Sequence, residues 1–581
     1  MSDQRNFFLA IVLSIGIMVG YQVFFAPPPP PPQPQTQEQQ AQAQLTDSQN
    51  ALTVQEGNAG LNAGLSDQGA GAAQTTVLDR DQALALSPRV KIETLSLSGS
   101  IALKGGRIDD LTLVKYRETT APDSPNVTLM SPAGTQDAFF AQFRWLWLGQ
   151  KGEVVPEDAV WTADSDTLNA GQTVNLTWRN PEGSIKVTRS VSLDENYMFT
   201  VTDKLENLGT AAVAVAPRAS LVRRNLPHME NFYILHEGPI GVLDGTLKEI
   251  SYKDMQPNYS EAENPPIKST GGWLGFSDKY WLSALIPDPS LPINAGYLHN
   301  TDYVAEFASE KGMSIEPGAS LEMTTRLFAG AKELHVIDGY ADKYNIVKFD
   351  LAIDFGWFYF ITKPFSYFLI WLHKMVGSFG LAILAFTVCV KLVLFPLANK
   401  SYKAMSRMKL LQPEVKKLQE KYPDDRARMQ QEMMALYKRE KVNPMSGCLP
   451  IVIQIPIFFA LYKVLFVTIE MRQAPFYGWI KDLSMPDPTN IFNLFGLIPW
   501  DPPSFLHLGA WPLIMGITMF LQQKLNPQPT DPMQARMFMI MPIMFTFLLA
   551  NFAAGLVIYW AWSNTLSIIQ QWVIMRRHGV R

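Results

Sequence analysis

The 581-residue sequence predicts an α-helical polytopic membrane protein with six transmembrane helices, five of them in a C-terminal core, that also carries a large all-β domain. Three observations predict it. Long apolar runs are concentrated at the two ends of the chain. A block rich in Lys and Arg separates two of the C-terminal runs. Between the ends, short alternating apolar and polar segments recur, divided by Gly, Pro, Asn and Asp.

Residues 1–26 contain an apolar run behind Arg5. A cleavable signal peptide has an apolar core of roughly 7–15 residues and a small-residue cleavage site. This run is longer and leads into Ala26 and a row of prolines, which predicts an uncleaved transmembrane anchor with its N-terminus inside. Residues 27–88 open with Pro27 to Pro32 and continue in Gln, Ala, Gly and Asn. They hold too few large apolar side chains to fold, so a flexible linker with a polyproline start is expected.

Residues 89–345 show strand-like segments at 90–97, 138–146, 173–178, 185–193, 197–205, 297–307 and 321–328. They predict a β-sandwich of considerable size, closed by a helix over 331–344. The anchor enters from inside, so this domain lies outside the cytoplasm. Trp145, Trp147, Trp178 and Trp273 are its candidates for exposed aromatics. Large sandwiches of this kind often handle sugars, but no two of the carboxylates pair for glycoside chemistry.

Residues 350–374 are dense in aromatics and interrupted at Lys363-Pro364. As a span they would make a seventh crossing and put the basic block outside, against the positive-inside rule. They are expected instead as an amphipathic helix at the outer membrane surface. Residues 378–397 are long enough to cross a bilayer, which takes roughly 20 apolar residues, and carry one charge, Lys391.

Residues 398–445 hold twelve Lys/Arg and six Asp/Glu and therefore stay in the cytoplasm. Tyr402, Met405, Met408, Leu411, Val415 and Leu418 recur at three-and-four spacing. Pro423 breaks that helix, Asp424 caps the next, and Met429, Met433, Leu436 and Tyr437 face back before Asn443-Pro444 ends it. A cytoplasmic helical hairpin follows, with Glu432 on its second arm. Its basic exterior is open to lipid headgroups, a nascent chain or ribosomal RNA, or is simply solvated. The remaining spans are 446–466, 508–525, 537–552 and 556–575, with Arg576, Arg577 and Arg581 inside. Both termini are then cytoplasmic.

Lys391 is the sharpest residue of the core. It lies six residues from the expected inner end of its span, about 9 Å at the helical rise, where a lysine can snorkel to the headgroups. Against that, Thr387 sits one turn away on the same face, and other spans carry polar stripes. These are Gln454; Thr518 and Gln522; and Trp560, Asn564, Ser567 and Gln571 at helical spacing. Such stripes also serve helix adhesion. With a cation among them and no acid within the spans, a water-filled cavity opening inward is expected. Met515, Met519, Met537, Met539, Met541 and Met544 crowd the fourth and fifth spans. They suit either a surface that accepts many apolar shapes or ordinary lipid-facing packing. The missing intramembrane acids argue against a proton-coupled solute carrier, and no phosphate loop supports ATP-driven work. The two cysteines, Cys389 and Cys448, predict neither a disulfide framework nor a metal site. No cofactor, no catalysis and no reading of a nucleic-acid sequence are expected. A polytopic small-solute transporter and a membrane-tethered carbohydrate-binding or -processing protein are the rival classes.

The run Gln431-Glu432-Met433-Met434-Ala435-Leu436-Tyr437-Lys438, then Lys441-Val442-Asn443-Pro444, Gly447-Cys448, Pro450, Ile453-Gln454, Pro456-Ile457-Phe458 and Ala460-Leu461-Tyr462 closely resembles YidC-type membrane protein insertases. Further matches are Arg472-Gln473-Ala474-Pro475-Phe476, Thr530-Asp531-Pro532-Met533-Gln534 and Gly555-Leu556-Val557. The resemblance covers roughly residues 354–575. The anchor and β domain are similar to the Gram-negative form of this YidC/Oxa/Alb family, which implies a bacterial inner-membrane protein with a periplasmic β-supersandwich. It also implies an insertase and chaperone with an inward-open hydrophilic groove. Nascent membrane proteins and the lipid bilayer would be its partners, with the Sec translocon, the signal recognition particle pathway and, transiently, the ribosome. The family's groove cation is usually Arg in a Thr-x-x-x-Arg pattern; here Thr387 to Lys391 substitutes Lys. A Lys is a point charge without the guanidinium fork. The family's Tyr-Tyr is Tyr559-Trp560 here. The short tail after Met575 predicts no strong ribosome binding through a basic C-terminus.

Overall fold

The computed structural model describes residues 77–577 except 150, 230–234, 256–258, 260–263, 423–424, 444–448, 501, 504–505 and 527–531. The anchor over 1–26 and most of the expected linker lie outside the described residues. The last part of that linker is not a free tether. Leu78 bridges to Thr135, and Asp79 caps a short helix, α1 (Arg80–Leu84), in a capping box with Gln82. Arg80 pairs with Asp110 on the β domain, and Ala83 is buried.

The described β domain consists of two sheets, of 11 and nine strands. The larger centres on Val213–Arg223, Phe139–Trp147 and Arg107–Arg117; the smaller on Ser320–Ala331, Met198–Asn207 and Ile185–Leu193. Every strand pair in them is antiparallel except Arg89–Glu93 with Thr167–Asn169. Strand Ile185–Leu193 alternates buried and half-buried residues along its whole length, as the two-residue pleat demands. Two expected strands are each split by a turn. The 90–97 segment divides between Arg89–Glu93 and Leu97–Ala102, and 297–307 between Pro292–His299 and Tyr303–Ser309.

Two of the aromatics expected at the surface are core. Trp145 is 1% exposed and donates its Nε1 hydrogen to Asp203 (2.9 Å), while Trp273 is 0% exposed and donates to the Val347 carbonyl (3.2 Å). Trp147 and Trp178 are partly buried against the same core. A tryptophan that finds an acceptor can be buried whole, and these two do.

Helix α2 (Leu334–Tyr344) closes the domain. Helix α3 (Tyr359–Val376) is the expected interfacial segment, but it runs through Lys363-Pro364 without interruption. It ends at Gly377, whose left-handed backbone (φ 73) lets its N–H reach the His373 carbonyl. Helix α4 (Phe379–Lys421) follows, 43 residues and roughly 64 Å long. The expected boundary at 397/398 between span and hairpin is therefore not a helix end, and Pro396 and Pro413 sit inside the helix. The remaining helices are α5 (Arg426–Arg439), α6 (Leu449–Val467), α7 (Ala510–Leu525), α8 (Pro532–Leu548) and α9 (Ala554–Arg577). Among the described residues α4 is the one helix both long and apolar enough to cross a bilayer; Val452–Val467 and Ala535–Leu548 are shorter apolar stretches. Helices α3, α4, α6 and α9 share one core that includes Leu369, Ile383, Phe386, Leu461 and Ile558. Helices α7 and α8 close up at Gly516, where an added Cβ would run into Thr546.

The β domain is fastened to this helical region at several points. Lys363 of α3 pairs with Asp338 (3.1 Å) and Asp350 (2.8 Å), and Lys463 of α6 with Asp354 (2.7 Å). Arg472 and Gln473, just past α6, donate to the Glu118 and Arg117 carbonyls. Phe466, Val467 and Ile469 belong to the β domain's own hydrophobic core.

Glu470 stands at this seam, where its carboxylate accepts from the Leu334 N–H at the start of α2 (3.4 Å). Burial outweighs that hydrogen bond and pushes its pKa from 4.5 up to about 7, with Glu333 adding repulsion and Lys374 opposing it. The folded state then holds a proton that the unfolded state gives up near 4.5. The seam is accordingly strongest below that pH and weakens as pH rises through about 7. Hydrogen exchange of the α2 amides measured against pH should show the loosening, and Glu470→Gln should flatten the profile. An unchanged profile in the Gln variant would place the titration elsewhere.

Candidate functional site

Expected site residues of α4, α6 and α7 converge on one side of α9. Helix α9 packs against α4, α7 and α6, and its polar side chains at three-and-four spacing all turn into these contacts. Ser563, Asn564, Ser567 and Gln571 are each 6% exposed or less. A lipid-facing stripe of that composition would leave amides in hydrocarbon, so the helix is rotated to bury it.

Lys391 is half-buried, and its ammonium donates to Ser567 Oγ (2.8 Å). Its neighbours Leu392 and Val393 are 65% and 80% exposed, so the lysine is directed across the bundle while the adjacent apolar residues face outward. Among the described residues no carboxylate forms an ion pair with it. Thr387 is buried, but its hydroxyl donates to the Ile383 carbonyl of its own helix (2.7 Å) and does not join Lys391.

Gln454 of α6 donates from Nε2 to the Tyr559 hydroxyl (2.8 Å), and Tyr559 is 2% exposed. Asn564 donates from Nδ2 to Thr518 Oγ1 (3.3 Å), tying α9 to α7. Gln522 is half-buried on the same helix. Trp560 is half-buried, with Phe458 4.5 Å and Phe545 6.1 Å away between ring centroids. Asn526, which accepts from Gln571 Nε2 (3.1 Å), is the member that sequence reasoning missed. It ends α7, and a terminal Asn reads only as a stop signal.

The methionines divide. Met515 is fully buried against Leu549, Val557 and Ala561, and Met519 packs half-buried beside them. Met537 and Met544 are exposed, with Met541 half-buried between them on α8.

In the hairpin, Tyr402 and Met405 pack on Ile574 of α9 with Met408 alongside, so this part of the stripe faces the bundle rather than the second arm. Val415 and Leu436 are buried further out, and Arg439 meets Glu414 across the arms (3.5 Å). The cap of α5 is Asp425, which accepts from the Arg428 N–H; the expected cap Asp424 lies outside the described residues, as does Pro444. Glu432 and Asn443 are exposed, and Tyr437 is half-buried.

The β domain's buried acids are structural. Asp109, Asp110, Asp203 and Glu306 bind Arg89, Arg80, Arg189 and Arg218 respectively.

Comparison with known proteins bears on both parts. The family described as YidC periplasmic domain matches residues 89–368, and that described as 60Kd inner membrane protein matches 371–580. A Bradyrhizobium diazoefficiens protein named membrane protein insertase YidC is 48% identical over 613 residues, spanning 100% of this chain and 97% of that protein. A Methylobacterium radiotolerans protein of the same name is 48% identical over 605 residues, spanning 100% and 96%. Among solved structures, an active YidC insertase with its first transmembrane domain resolved aligns over 83% of this chain and 92% of its own, at 19% identity and a TM-score of 0.35.

Proposed function

The chain belongs to the YidC family of membrane protein insertases of the inner membrane, with a periplasmic β domain, and from that premise we propose that it inserts its clients through an inward-open polar groove centred on Lys391. The groove is bounded by α4, α6, α7 and α9. Six spans, at 1–26, 378–397, 446–466, 508–525, 537–552 and 556–575, with both termini cytoplasmic, complete the topology. The Sec translocon, the signal recognition particle pathway and the ribosome deliver clients to it.

One observation carries this reading: the Lys391 ammonium turns toward Ser567 on α9 and not along the lipid-facing side of α4. A snorkelling lysine would lie beside Leu392 and Val393. Further along α9 from Ser567, Gln570 Nε2 and Gln571 Oε1 are buried without a protein partner among the described residues. Buried amides of this kind are satisfied by water or by a polar guest.

The acidic or polar flank of a client is held by Lys391, which Ser567 orients while Asn564 ties α9 to α7 behind it, and its apolar segment passes Trp560, the half-buried Met541 and the exposed Met537 and Met544 into lipid. Burying the client's side chains drives the process, at roughly 0.8 kcal/mol per methylene. Tyr559, closed off by Gln454, acts from behind the wall and does not touch the client directly.

Photocrosslinkers at Met519 and Trp560 should capture a stalled nascent membrane protein, whereas one at Leu95, exposed on the β domain, should not. Capture at Leu95 alone, with clients assembling normally, would reject the groove.

A further inference from the structure

The loop between α6 and α7 is the least expected surface of the molecule. From Pro488 to Trp500 it carries no ionisable residue. Phe492, Leu494, Phe495, Leu497, Ile498 and Trp500 are between 39% and 83% exposed. A water-facing loop of that composition is a liability, since exposed apolar side chains cluster where they meet a partner.

The loop is held rigidly. Leu494 and Phe495 both adopt the left-handed conformation (φ 50 and 59), which ordinary side chains avoid. Hydrogen bonds from Phe495 N to the Asn490 carbonyl (2.9 Å), and from Gly496 N to Asn493 Oδ1 (2.9 Å), fix the turn that projects them.

Its base is stapled to the start of α7. Asp487, 1% exposed, accepts from the Trp511 N–H (2.8 Å), and Thr489 Oγ1 accepts from the Ala510 N–H (2.9 Å). Together they satisfy the helix's first donors, which Gly509 cannot. The same Asp487 accepts from Trp479 Nε1 (2.9 Å). The apolar tip is therefore locked to the outer end of a membrane helix, and not free to retreat from lipid.

We propose that residues 491–500 form a rigid wedge seated in the outer leaflet, at the boundary of headgroups and acyl chains. The inference rests on α7 being membrane-embedded. Lipid is the occupant because the tip is continuous with the outer end of α7, lacks any charge to match a protein surface, and ends in a tryptophan suited to the interface.

The test uses the full chain with Cys389 and Cys448 replaced by Ser, reconstituted into phosphatidylcholine–phosphatidylglycerol vesicles. An environment-sensitive fluorophore is attached in turn at Phe495→Cys, Leu497→Cys, Ile517→Cys on the exposed side of α7, and Leu95→Cys. Acyl-brominated lipids should quench the label at 495, 497 and 517 and spare 95, which aqueous iodide should quench. Quenching by bromolipid at 517, with iodide quenching at 495 and 497, would overturn the wedge and leave the membrane reading intact. No bromolipid quenching at 517 would overturn the embedding itself and the wedge with it. Shielding of 495 and 497 from both quenchers would mean contact with a second copy, which also rejects lipid as the occupant.

Discussion

Lys391→Met is expected to cut insertion of clients with acidic flanks roughly ten- to a hundredfold, because a hydrogen bond to a charged group contributes about 1.5–3 kcal/mol. The ammonium is held by one neutral hydroxyl, Ser567, and no carboxylate among the described residues neutralises it. Its charge is therefore available to an incoming acid. Lys391→Arg keeps the charge and should retain most activity. Clients with uncharged flanks lose only the dipolar part and should be affected least. The comparison is made with purified protein in vesicles, on matched clients that differ only in the acids of the translocated segment. Equal insertion of both by the Met variant would mean that the lysine serves the bundle and not the client.

The second large effect lies in the β domain. Arg189 and Asp203, 1% and 6% exposed, form a two-pronged pair at 2.7 and 2.8 Å. Arg189 also donates to the Phe143 and Gly106 carbonyls and lies over the Trp161 ring. Asp203→Ala strands that guanidinium and should destabilise the domain by about 3–5 kcal/mol. Denaturation of the detergent-solubilised full chain, followed by near-ultraviolet circular dichroism, reads the loss. Replacing the two together, Arg189→Met with Asp203→Leu, should recover much of it, since a buried pair often exchanges for apolar residues at little cost. Trp145 then forfeits its acceptor, so recovery stays incomplete. A loss under about 1 kcal/mol in the single variant, the size of an exposed pair, would mean that water reaches the site.

Much of this architecture was legible because period and position carry it. The α9 stripe of Asn564, Ser567 and Gln571 repeats every three to four residues, so its convergence on a helix interface follows from the helical turn. What escaped had no period to show. Strands Gly238–Leu243 and Trp273–Ser277 are buried on both faces, so neither alternates. Trp145 and Trp273 looked like surface candidates because composition does not state direction. Nor does parity along the strand of Trp145, since Phe140 and Gln142 are buried together with Ala141, Phe143 and Trp145. The seamless α4 escaped because the change near 397 from apolar to charged residues is a change of side-chain character, and backbone hydrogen bonds need not notice it. Pro396 and Pro413, a residue type that usually breaks or kinks a helix, are carried inside it.

That unbroken α4 has a mechanical consequence. With no break between its apolar and charged halves, a load applied near Lys421 travels along one rod, with Tyr402 and Met405 resting on Ile574 as a fulcrum. Flexing concentrates where the proline rings withhold a donor, at the carbonyls of Leu392 and Lys409. The first of these adjoins Lys391, so a tug on the charged arm is delivered to the lysine that donates to Ser567.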